Sequence, residues 1–350
     1  MPRWLLYGAY GYTGRLIAEH AVARGQRPVL AGRSADKLAA LAGKLGLEHV
    51  AVSLDDPAAL RRALEGASAV LHAAGPFVHT SAPMRRACLD AGASYLDITG
   101  EIPVFEAAFA EDGEARSRGV ALICGVGFDV VPTDCLAVHV ARQLASPFGL
   151  ELAIDAGGNA SAGTMKSALG LLPKGGVVRR GGKLVPWRLG RGARDIRFSH
   201  GVRHAVPIPW GDLATAFRST GCPDITTYMA VPPGQAKALA AFGSVLQLAL
   251  GVPSLQRAAL SWAERRFPGP DEQERREGHS RVWARTVDRE GNEAQGWLEL
   301  GDGYAFTAAS AVRAVERTLE KKPVGALTPA QAFGADFVLE MDGVRRLDAL

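Results

Sequence analysis

The sequence predicts an α/β protein in which a Rossmann-type, doubly wound parallel sheet is joined to a second α+β domain. From residue 3 to about 125, short apolar runs alternate with helical patterns, as they do in βαβ units. A glycine-rich turn directly follows the first of these runs. With 350 residues the chain exceeds the size that one hydrophobic core usually serves, so two domains are expected.

Six strands with helical crossovers are predicted in the first region. Apolar residues recur at helical spacing between the strands, as at Leu38, Leu41, Ala42 and Leu45, and Asp56 precedes a proline that suits the first helical position. This alternation is typical of a doubly wound sheet. The predicted strands are residues 4–7, 28–31, 49–52, 69–73, 95–97 and 120–124.

The pattern changes after residue 125. A longer helix is predicted near residues 132–144 and an alternating strand near 150–155, followed by a stretch rich in glycine and arginine. Two alternating runs between residues 281 and 300 flank a turn at 289–292 and therefore predict a hairpin. The charge run 271–277, after Pro268, is expected to be an exposed connection.

A final helix is predicted at about residues 304–321. Thr328 can cap a short helix that begins at Pro329. The predicted domains are an NADP-binding Rossmann domain at 1–125, an α+β substrate and dimerisation domain at 126–322, and a C-terminal segment at 323–350 that returns to the first domain.

Composition excludes several classes of protein. The net charge of +4 is small for this length, which argues against a protein that covers nucleic-acid phosphates. The four cysteines form no C-x-x-C pair and no metal-ligand spacing with the histidines, so no metal site is expected. Cys124 and Cys135 are expected to be small core residues, as free cysteines often are.

Two observations favour the cytoplasm and no membrane span. The chain enters its first strand at once, which leaves no room for a signal peptide. The longest apolar stretch, residues 236–252, falls short of the ~20 residues that a span needs. Its uncharged part, 238–250, is expected to be core, with a pocket for an alkyl chain as the alternative.

The turn of residues 8–14 carries the cofactor prediction. Glycines permit a tight turn and close approach to a pyrophosphate, whose charge then meets the helix N-terminus. The spacing is G-x-x-G-x-x-G, a weaker signal than G-x-G-x-x-G, but the turn lies between a strand and a helix. The predicted pyrophosphate site consists of Gly8, Tyr10, Gly11, Tyr12, Thr13 and Gly14.

The end of the second strand indicates which nucleotide is bound. An NAD site usually places an acid there, whereas this chain has Arg33 and Ser34. Arg33 can pair with a 2′-phosphate and Ser34 can donate a hydrogen bond to it, which favours NADP(H). The alternative is a glycine turn in an ordinary α/β protein with Arg33 merely on the surface.

The fourth strand ends in a segment that is expected to line the nicotinamide ribose. It contains Ala74, Gly75 and Pro76, on the side where open sheets bind ligands. The alternative is a simple exit from strand to loop.

The chain resembles the saccharopine dehydrogenase-like oxidoreductase family, and within it the branch of trans-acting enoyl reductases of lipid biosynthesis. The segments that carry this resemblance are distributed over the whole chain. They indicate the family but do not identify one substrate. They are GAYGYTGRLIA at 8–18, AGRS at 31–34, GPF at 75–77, YLDITGE at 95–101, GFDVVPTD at 127–134, SAGT at 161–164 and TPAQAFG at 328–334.

The resemblance implies a Rossmann domain, a mixed α+β domain inserted before a C-terminal helix that packs back, and hydride transfer from a nicotinamide. Tyr10 departs from the family, where a small residue is common, and it either crowds the pyrophosphate or points outward. The chain also lacks the long domain and the Gly-x-Asp-Pro-Gly junction of saccharopine-forming enzymes, so saccharopine is not the expected substrate.

Reduction of a polarised double bond needs a hydride donor and a proton source. Asp129, Asp97 and Glu101 are the candidate catalytic carboxylates, in segments expected to meet at a cleft alongside Thr133, Asp134 and Thr164. Asp129 is the first candidate, with helix capping before Pro132 as the alternative. Asp97 and Glu101 can instead cap the following helix and hold its loop. His79 is a further possible donor or an exposed loop residue.

A basic segment in the second domain is a candidate for substrate docking. Nine basic residues against Asp195 are expected to form a flexible lobe that binds coenzyme A phosphates or an acidic acyl-carrier protein, or a solvated loop with no partner. The nine are Lys174, Arg179, Arg180, Lys183, Arg188, Arg191, Arg194, Arg197 and Arg203.

The sequence therefore predicts an NADPH-dependent reductase of a conjugated C=C or a C=N bond in a small or acyl-thioester substrate, either free or linked to a carrier protein. A non-catalytic NADP(H)-binding sensor or scaffold is the alternative, because a fold does not fix a function. The predicted hairpin would leave a sheet edge for a second copy to pair with, which favours a homodimer.

Overall fold

The computed structural model describes residues 2–157, 161–267 and 269–350. The chain divides into two compact units, Met1–Val131 with Tyr304–Gly334 as unit 1 and Pro132–Gly303 with Ala335–Leu350 as unit 2. The predicted boundaries at 125 and 322 differ from this division. One difference is the helix Gly303–Lys321, which belongs to unit 1 from Tyr304 onward. Another is the segment 323–350, which was predicted to return to the first domain. Only its residues up to Gly334 do so, whereas Ala335–Leu350 belongs to unit 2 because residues 345–347 pair with a strand of that unit.

Unit 1 is built on a parallel sheet of seven strands. These are β1 (Trp4–Tyr7), β2 (Val29–Gly32), β3 (His49–Ala51), β4 (Ala69–His72), β5 (Ser94–Asp97), β6 (Ala121–Ile123) and β15 (Gly325–Leu327). The strand order is β15-β6-β5-β4-β1-β2-β3, and the chain therefore changes direction across the sheet between β1 and β4. The predicted Rossmann-type sheet is confirmed.

Most strands of this sheet are buried along their whole length, as in β1 and β4. They therefore read as continuous apolar runs, and their predicted positions agree with the structure to within one residue. The seventh strand, β15, was not predicted. Its three residues Gly-Ala-Leu are too short to show a period, and only their pairing with β6 makes them a strand.

The helices of unit 1 are α1 (Tyr12–Ala23), α2 (Ala35–Leu45), α3 (Pro57–Ala63), α4 (Phe77–Ala91), α5 (Ile102–Ala110), α6 (Asp112–Ser117), α13 (Gly303–Lys321) and α14 (Pro329–Phe333). The predicted return of a C-terminal helix to the first domain is made by α13. Its Glu316 pairs with Arg24 at 2.8 Å, and its Ser310 hydroxyl donates to the Val126 carbonyl at 2.8 Å. Thr328 caps α14, as predicted.

Unit 2 contains a second, mixed sheet. Its strands are β7 (Gly149–Ala156), β8 (Gly176–Arg180), β9 (Lys183–Trp187), β10 (Arg194–Phe198), β11 (Gly201–Pro207), β12 (Asp224–Ala230), β13 (His279–Val287), β14 (Glu293–Gly301) and β16 (Arg345–Leu347). Its main path runs β10-β11-β12-β7-β13-β14-β16. One face buries an aromatic cluster that includes Phe198, Trp283 and Trp297. The predicted second α+β domain is confirmed.

The helices of unit 2 are α7 (Val131–Ala141, whose first residue still belongs to unit 1), α8 (Ala162–Leu171), α9 (Asp212–Thr220), α10 (Pro233–Leu250), α11 (Pro253–Arg266) and α12 (Glu272–Glu277). The charge run 271–277 forms the exposed helix α12, which Asp271 caps. Pro268, just before it, lies outside the described residues. Within the described part of the chain, no helix is long and apolar enough to cross a bilayer.

The predicted hairpin is present as β13 and β14, and Asp288 accepts backbone hydrogen bonds within its turn. Its outer edge is not open along its whole length, because β16 pairs with residues 297–299 of β14. Pairing of a second copy at this edge stays a prediction.

The predicted flexible basic lobe is wrong. Residues 176–207 form strands β8 to β11, and several cations are held by the fold. Arg179 is 4% exposed and stacks on the Phe217 ring at 4.2 Å, while Arg194 pairs with Glu151 at 2.8 Å. The side chain of Lys174 lies outside the description.

The prediction that residues 238–250 form core is wrong for most of the described side chains, although Leu250 is buried. The run lies in α10, where Phe242 is 67% exposed and Leu248 is 76% exposed.

Candidate functional site in unit 1

The turn after β1 uses each glycine of the G-x-x-G-x-x-G motif differently. Gly8 has a φ of +83°, and a Cβ there would lie 2.9 Å from the backbone of Ala74. Gly11 donates its N–H to the Gly8 carbonyl at 3.0 Å. A Cβ on Gly14 would lie 2.2 Å from the same carbonyl oxygen. The three glycines therefore let the turn, the start of α1 and the loop after β4 approach one another closely.

The N-terminus of α1 is suited to an anion. Its N-cap is Gly11, which has no side chain to cap the helix, and the first turn contains no acid. Backbone N–H groups and the helix dipole there favour negative charge. Gly8 and Gly14 keep this turn packed closely on itself and on the loop after β4, and a tight glycine turn at a helix N-terminus is the arrangement that suits a dinucleotide pyrophosphate.

Tyr10 turns away from α1 toward the end of β2. Its ring lies against Gly32, where a Cβ would come within 2.8 Å of Tyr10 Cε1. The ammonium of Lys37 lies 5.7 Å from the ring centroid. The departure from the family pattern at Tyr10 is therefore accommodated by the glycine at position 32.

Arg33 follows Gly32 directly and is exposed. Among the described residues it forms no hydrogen bond and no ion pair, so its guanidinium is available to a ligand phosphate. Ser34 is the N-cap of α2 and makes no side-chain capping bond. Both residues lie where the sequence places the 2′-phosphate of NADP(H).

The loop after β4 is held by a buried relay that the sequence analysis missed. The Thr80 hydroxyl donates to the Ala74 carbonyl at 2.7 Å and therefore accepts from Nε2–H of His72 at 3.0 Å. His72 is fully buried and stacks with Tyr7. Burial, followed by the charge of Arg85, lowers the pKa of His72 to about 3, so the ring is neutral. The relay fixes Ala74 beside Gly75 and Pro76, which are exposed.

Glu101 forms a clamp between two loops. It is 3% exposed, and its carboxylate accepts the backbone N–H groups of Phe77 at 2.9 Å and Val78 at 2.8 Å. It thereby caps α4, the helix after β4, whereas the sequence analysis weighed a cap on the helix that follows Glu101 itself. A carboxylate at a helix N-terminus is favourable.

Asp97 is completely buried and holds three donors. It accepts from the Tyr95 hydroxyl at 2.8 Å, from Thr99 N–H at 3.1 Å and from Gly125 N–H at 2.9 Å. Burial raises the pKa of Asp97, and these hydrogen bonds oppose that shift. The contacts support loop positioning, which was one of the two roles considered for this residue.

Asp129 differs from the other two carboxylates because it is half-buried. Its Oδ2 lies against Gly100, where a Cβ would be 2.9 Å away. Burial, and secondly the charge of Glu101, raise the pKa of Asp129 to about 7. The preceding residue is held by α13, because Phe128 N–H donates to the Thr307 hydroxyl at 3.0 Å.

The structure thus brings Glu101 and Asp129 together, and it ties Asp97 to the loop at Gly125 that leads toward Asp129. Thr133 and Asp134 belong to unit 2, where Asp134 accepts from the Ser219 hydroxyl at 2.6 Å. The side chain of Thr164 lies outside the description. His79 is exposed, and Cys124 and Cys135 are buried as expected.

Comparison with known proteins agrees with the fold and with the glycine turn. Residues 4–123 match the family described as saccharopine dehydrogenase NADP binding domain. The chain is 32% identical over 157 residues to the trans-acting enoyl reductase of Mycobacterium ulcerans, covering 43% of this chain and 38% of that protein. It is 33% identical over 147 residues to the enzyme of the same name in Mycobacterium tuberculosis strain H37Rv, covering 40% and 35%. The match thus spans less than two fifths of either relative.

A solved structure matches the fold over the whole chain. Saccharopine dehydrogenase (L-Glu forming) from Saccharomyces cerevisiae superposes with a TM-score of 0.71 over 100% of both chains, at 13% identity. At that identity the likeness concerns the fold alone. The fold is thus that of a two-domain protein of this kind, and the matched segment of unit 1 is similar to an NADP-binding domain. More particularly, residues 4–123 are similar to the saccharopine dehydrogenase NADP-binding domain, in agreement with the resemblance seen in the sequence.

Proposed function

We propose that this protein is an NADPH-dependent reductase of a C=C bond conjugated to a carbonyl, or of a related C=N bond. One observation carries the proposal. A half-buried carboxyl with a pKa of about 7, Asp129, lies beside Glu101, and Glu101 is itself bonded to the loop that is expected to line the nicotinamide ribose. A group that titrates near neutral pH suits general acid catalysis. The names of the relatives, trans-acting enoyl reductases, favour the C=C bond.

Each of these residues would have a separate role in the reaction. Gly8, Gly11 and Gly14 receive the pyrophosphate, and Arg33 with Ser34 receives the 2′-phosphate. Bound NADPH supplies the hydride. The protonated Asp129 donates its proton to the atom that becomes basic when the partner atom of the double bond gains that hydride, and one two-electron reduction is complete. Asp129 is then reprotonated from solvent, to which it is partly open.

The substrate is proposed to be an acyl thioester. Lys183, Arg188, Arg191 and Arg197 are exposed cations of unit 2 that suit coenzyme A phosphates or an acidic carrier protein. Arg188→Glu with Arg191→Glu should raise the KM for a thioester about tenfold or more, because two phosphate pairs become repulsive. If this double variant leaves the KM unchanged for every thioester, these cations do not take part in substrate binding.

The proposal is tested by NADPH oxidation with a panel of enoyl thioesters and imines, for wild type and Asp129→Asn. The substitution keeps the shape of the side chain and removes its proton, so kcat should fall about 10²- to 10⁴-fold. Calorimetry should give an unchanged Kd for NADPH, which shows that the cofactor site is intact. Tight NADPH binding with no turnover on any substrate would favour the sensor alternative instead.

A further inference from the structure

Helix α10 exposes large apolar side chains that a helix in a folded domain usually buries. It buries Gly243, whose absent side chain lets the helix come close to Leu189. Most of its large apolar side chains are exposed, with Phe242 67% exposed, Val245 64% exposed and Leu248 76% exposed, whereas Leu250 at its end is buried. An amphipathic helix normally buries residues of this kind against the core. Among the residues that the structure describes, no element covers these exposed apolar side chains of α10.

The apolar surface continues into α11, which packs against α10. Val252, in the connection between the helices, is 46% exposed, and Leu255 and Trp262 are each 50% exposed. Seven of the twelve large apolar side chains that are exposed in the described part of the chain lie in this hairpin, residues 233–266. Single exposed apolar residues are normal, whereas a cluster marks an interaction surface.

The charges of the hairpin indicate the kind of partner. Its basic side chains, Lys237, Arg257, Arg265 and Arg266, are all exposed. Its sequence contains one acid, Glu264. Exposed Phe, Leu and Trp side chains with basic residues around them are the composition of helices that lie in a bilayer interface and bind anionic lipids.

We propose that the α10–α11 hairpin binds the surface of an anionic lipid bilayer. The apolar side chains enter the boundary between headgroups and acyl chains, and the arginines meet the lipid phosphates. A second copy of the chain fits less well. In a two-fold contact the same patch faces itself, so the cations of both hairpins would share one interface with one acid from each copy.

Co-sedimentation of the full-length protein with vesicles tests the proposal. Phosphatidylcholine vesicles are compared with vesicles that also contain phosphatidylglycerol, at low and high salt. Wild type should bind the anionic vesicles, and high salt should weaken the binding. Phe242→Glu with Leu248→Glu should lower binding about tenfold or more. The matched control is Val202→Glu with Leu339→Glu, two exposed apolar residues outside the hairpin, and it should bind as wild type.

A second pair of variants isolates the charge. Arg265→Gln with Arg266→Gln should lower binding to anionic vesicles by about fivefold for each cation removed. Arg61→Gln with Arg62→Gln, which makes the same change in net charge on α3 of unit 1, should leave binding unchanged. All four positions are exposed, so the variants should fold, and circular dichroism checks that they do.

Three results would overturn the proposal. The first is a wild type that does not bind anionic vesicles at low salt. The second is binding that survives Phe242→Glu with Leu248→Glu. The third is a dimer in light scattering that this double variant converts to a monomer, which would make the apolar face a contact between copies.

Discussion

The carboxylate of Glu101 accepts a 2.9 Å hydrogen bond from the backbone N–H of Phe77, and so a residue that follows β5 fixes the first turn of the helix that follows β4. The same carboxylate raises the pKa of Asp129. One buried side chain thus holds the loop at residues 74–78 and adds to the rise in the pKa of the proposed acid, which burial causes in the first place.

Glu101→Gln should therefore have two effects. The amide has one oxygen, so Phe77 or Val78 loses its charged acceptor, and the free energy of unfolding should fall by about 1 to 3 kcal/mol. Removal of the negative charge should also lower the pKa of Asp129 and move the pH profile of turnover toward acid. Urea unfolding and pH–rate profiles measure the two effects. The exposed Glu48→Gln is the control, and a stability loss without a shifted profile would separate Glu101 from the acid.

The raised pKa of Asp129 predicts in which direction the free energy of unfolding changes with pH. The folded pKa of about 7 lies above the ordinary value of 3.8, so between these values the folded state holds more protons than the unfolded state. The stabilisation is complete below about pH 4, and it is lost as the pH rises through 7. Relative to Asp129→Asn, wild type should lose about 2 to 4 kcal/mol between pH 4 and pH 8. Parallel pH profiles of the two proteins in urea unfolding would show an unshifted carboxyl.

The sequence could predict those residues of this site whose role depends on neighbours in the chain. It could not predict those whose partners are distant in the sequence. Gly8, Gly14 and Arg33 could be proposed from the sequence because a strand, a turn and a helix follow one another directly. The role of Glu101 was missed because its partners lie 23 and 24 residues away, and only strand order brings them together. Thr307, 179 residues from Phe128, has no local signal at all.

The same reasoning explains the errors in unit 2. Glycine and arginine between residues 174 and 203 suggested a loop, because composition does not show strand pairing. The large apolar residues of α10 were assigned to the core because apolar residues are usually buried, and the sequence contains no sign of which face is covered. In the structure the face of α10 that contains Gly243 is buried, and Phe242 and Val245 are exposed.

Gly14→Ala tests whether the glycine turn is required as packed. The new Cβ would lie 2.2 Å from the Gly8 carbonyl oxygen, so the turn must shift and stability should fall by about 1 to 3 kcal/mol. NADPH binding should be lost with it. Gly43→Ala in the interior of α2, where a Cβ meets nothing within 4 Å, should instead stabilise by about 0.5 to 1 kcal/mol. Calorimetry and urea unfolding give both quantities, and intact NADPH binding in Gly14→Ala would contradict the proposed pyrophosphate site.

Arg33→Ala tests the choice of nucleotide. Arg33 forms no bond or ion pair with other described residues, so its loss should leave the free energy of unfolding nearly unchanged. NADPH should bind more weakly by about 1.5 to 3 kcal/mol, the value of a hydrogen bond to a charged group, while NADH binding should stay the same. Calorimetric titration of both nucleotides measures this difference. Equal weakening for the two would place Arg33 on a part of the cofactor that NADPH and NADH share.

Thr80→Val tests the relay that fixes the loop after β4. Valine keeps the shape of the side chain but removes the hydroxyl that joins His72 Nε2 to the Ala74 carbonyl, so a buried donor and a carbonyl both lose their partner. The free energy of unfolding should fall by about 1 to 3 kcal/mol. If the loop lines the cofactor, NADPH should also bind more weakly, and Thr80→Ser, which restores the hydroxyl, should recover both values. A stability loss with unchanged NADPH affinity would confine the relay to folding and exclude the loop from the cofactor site.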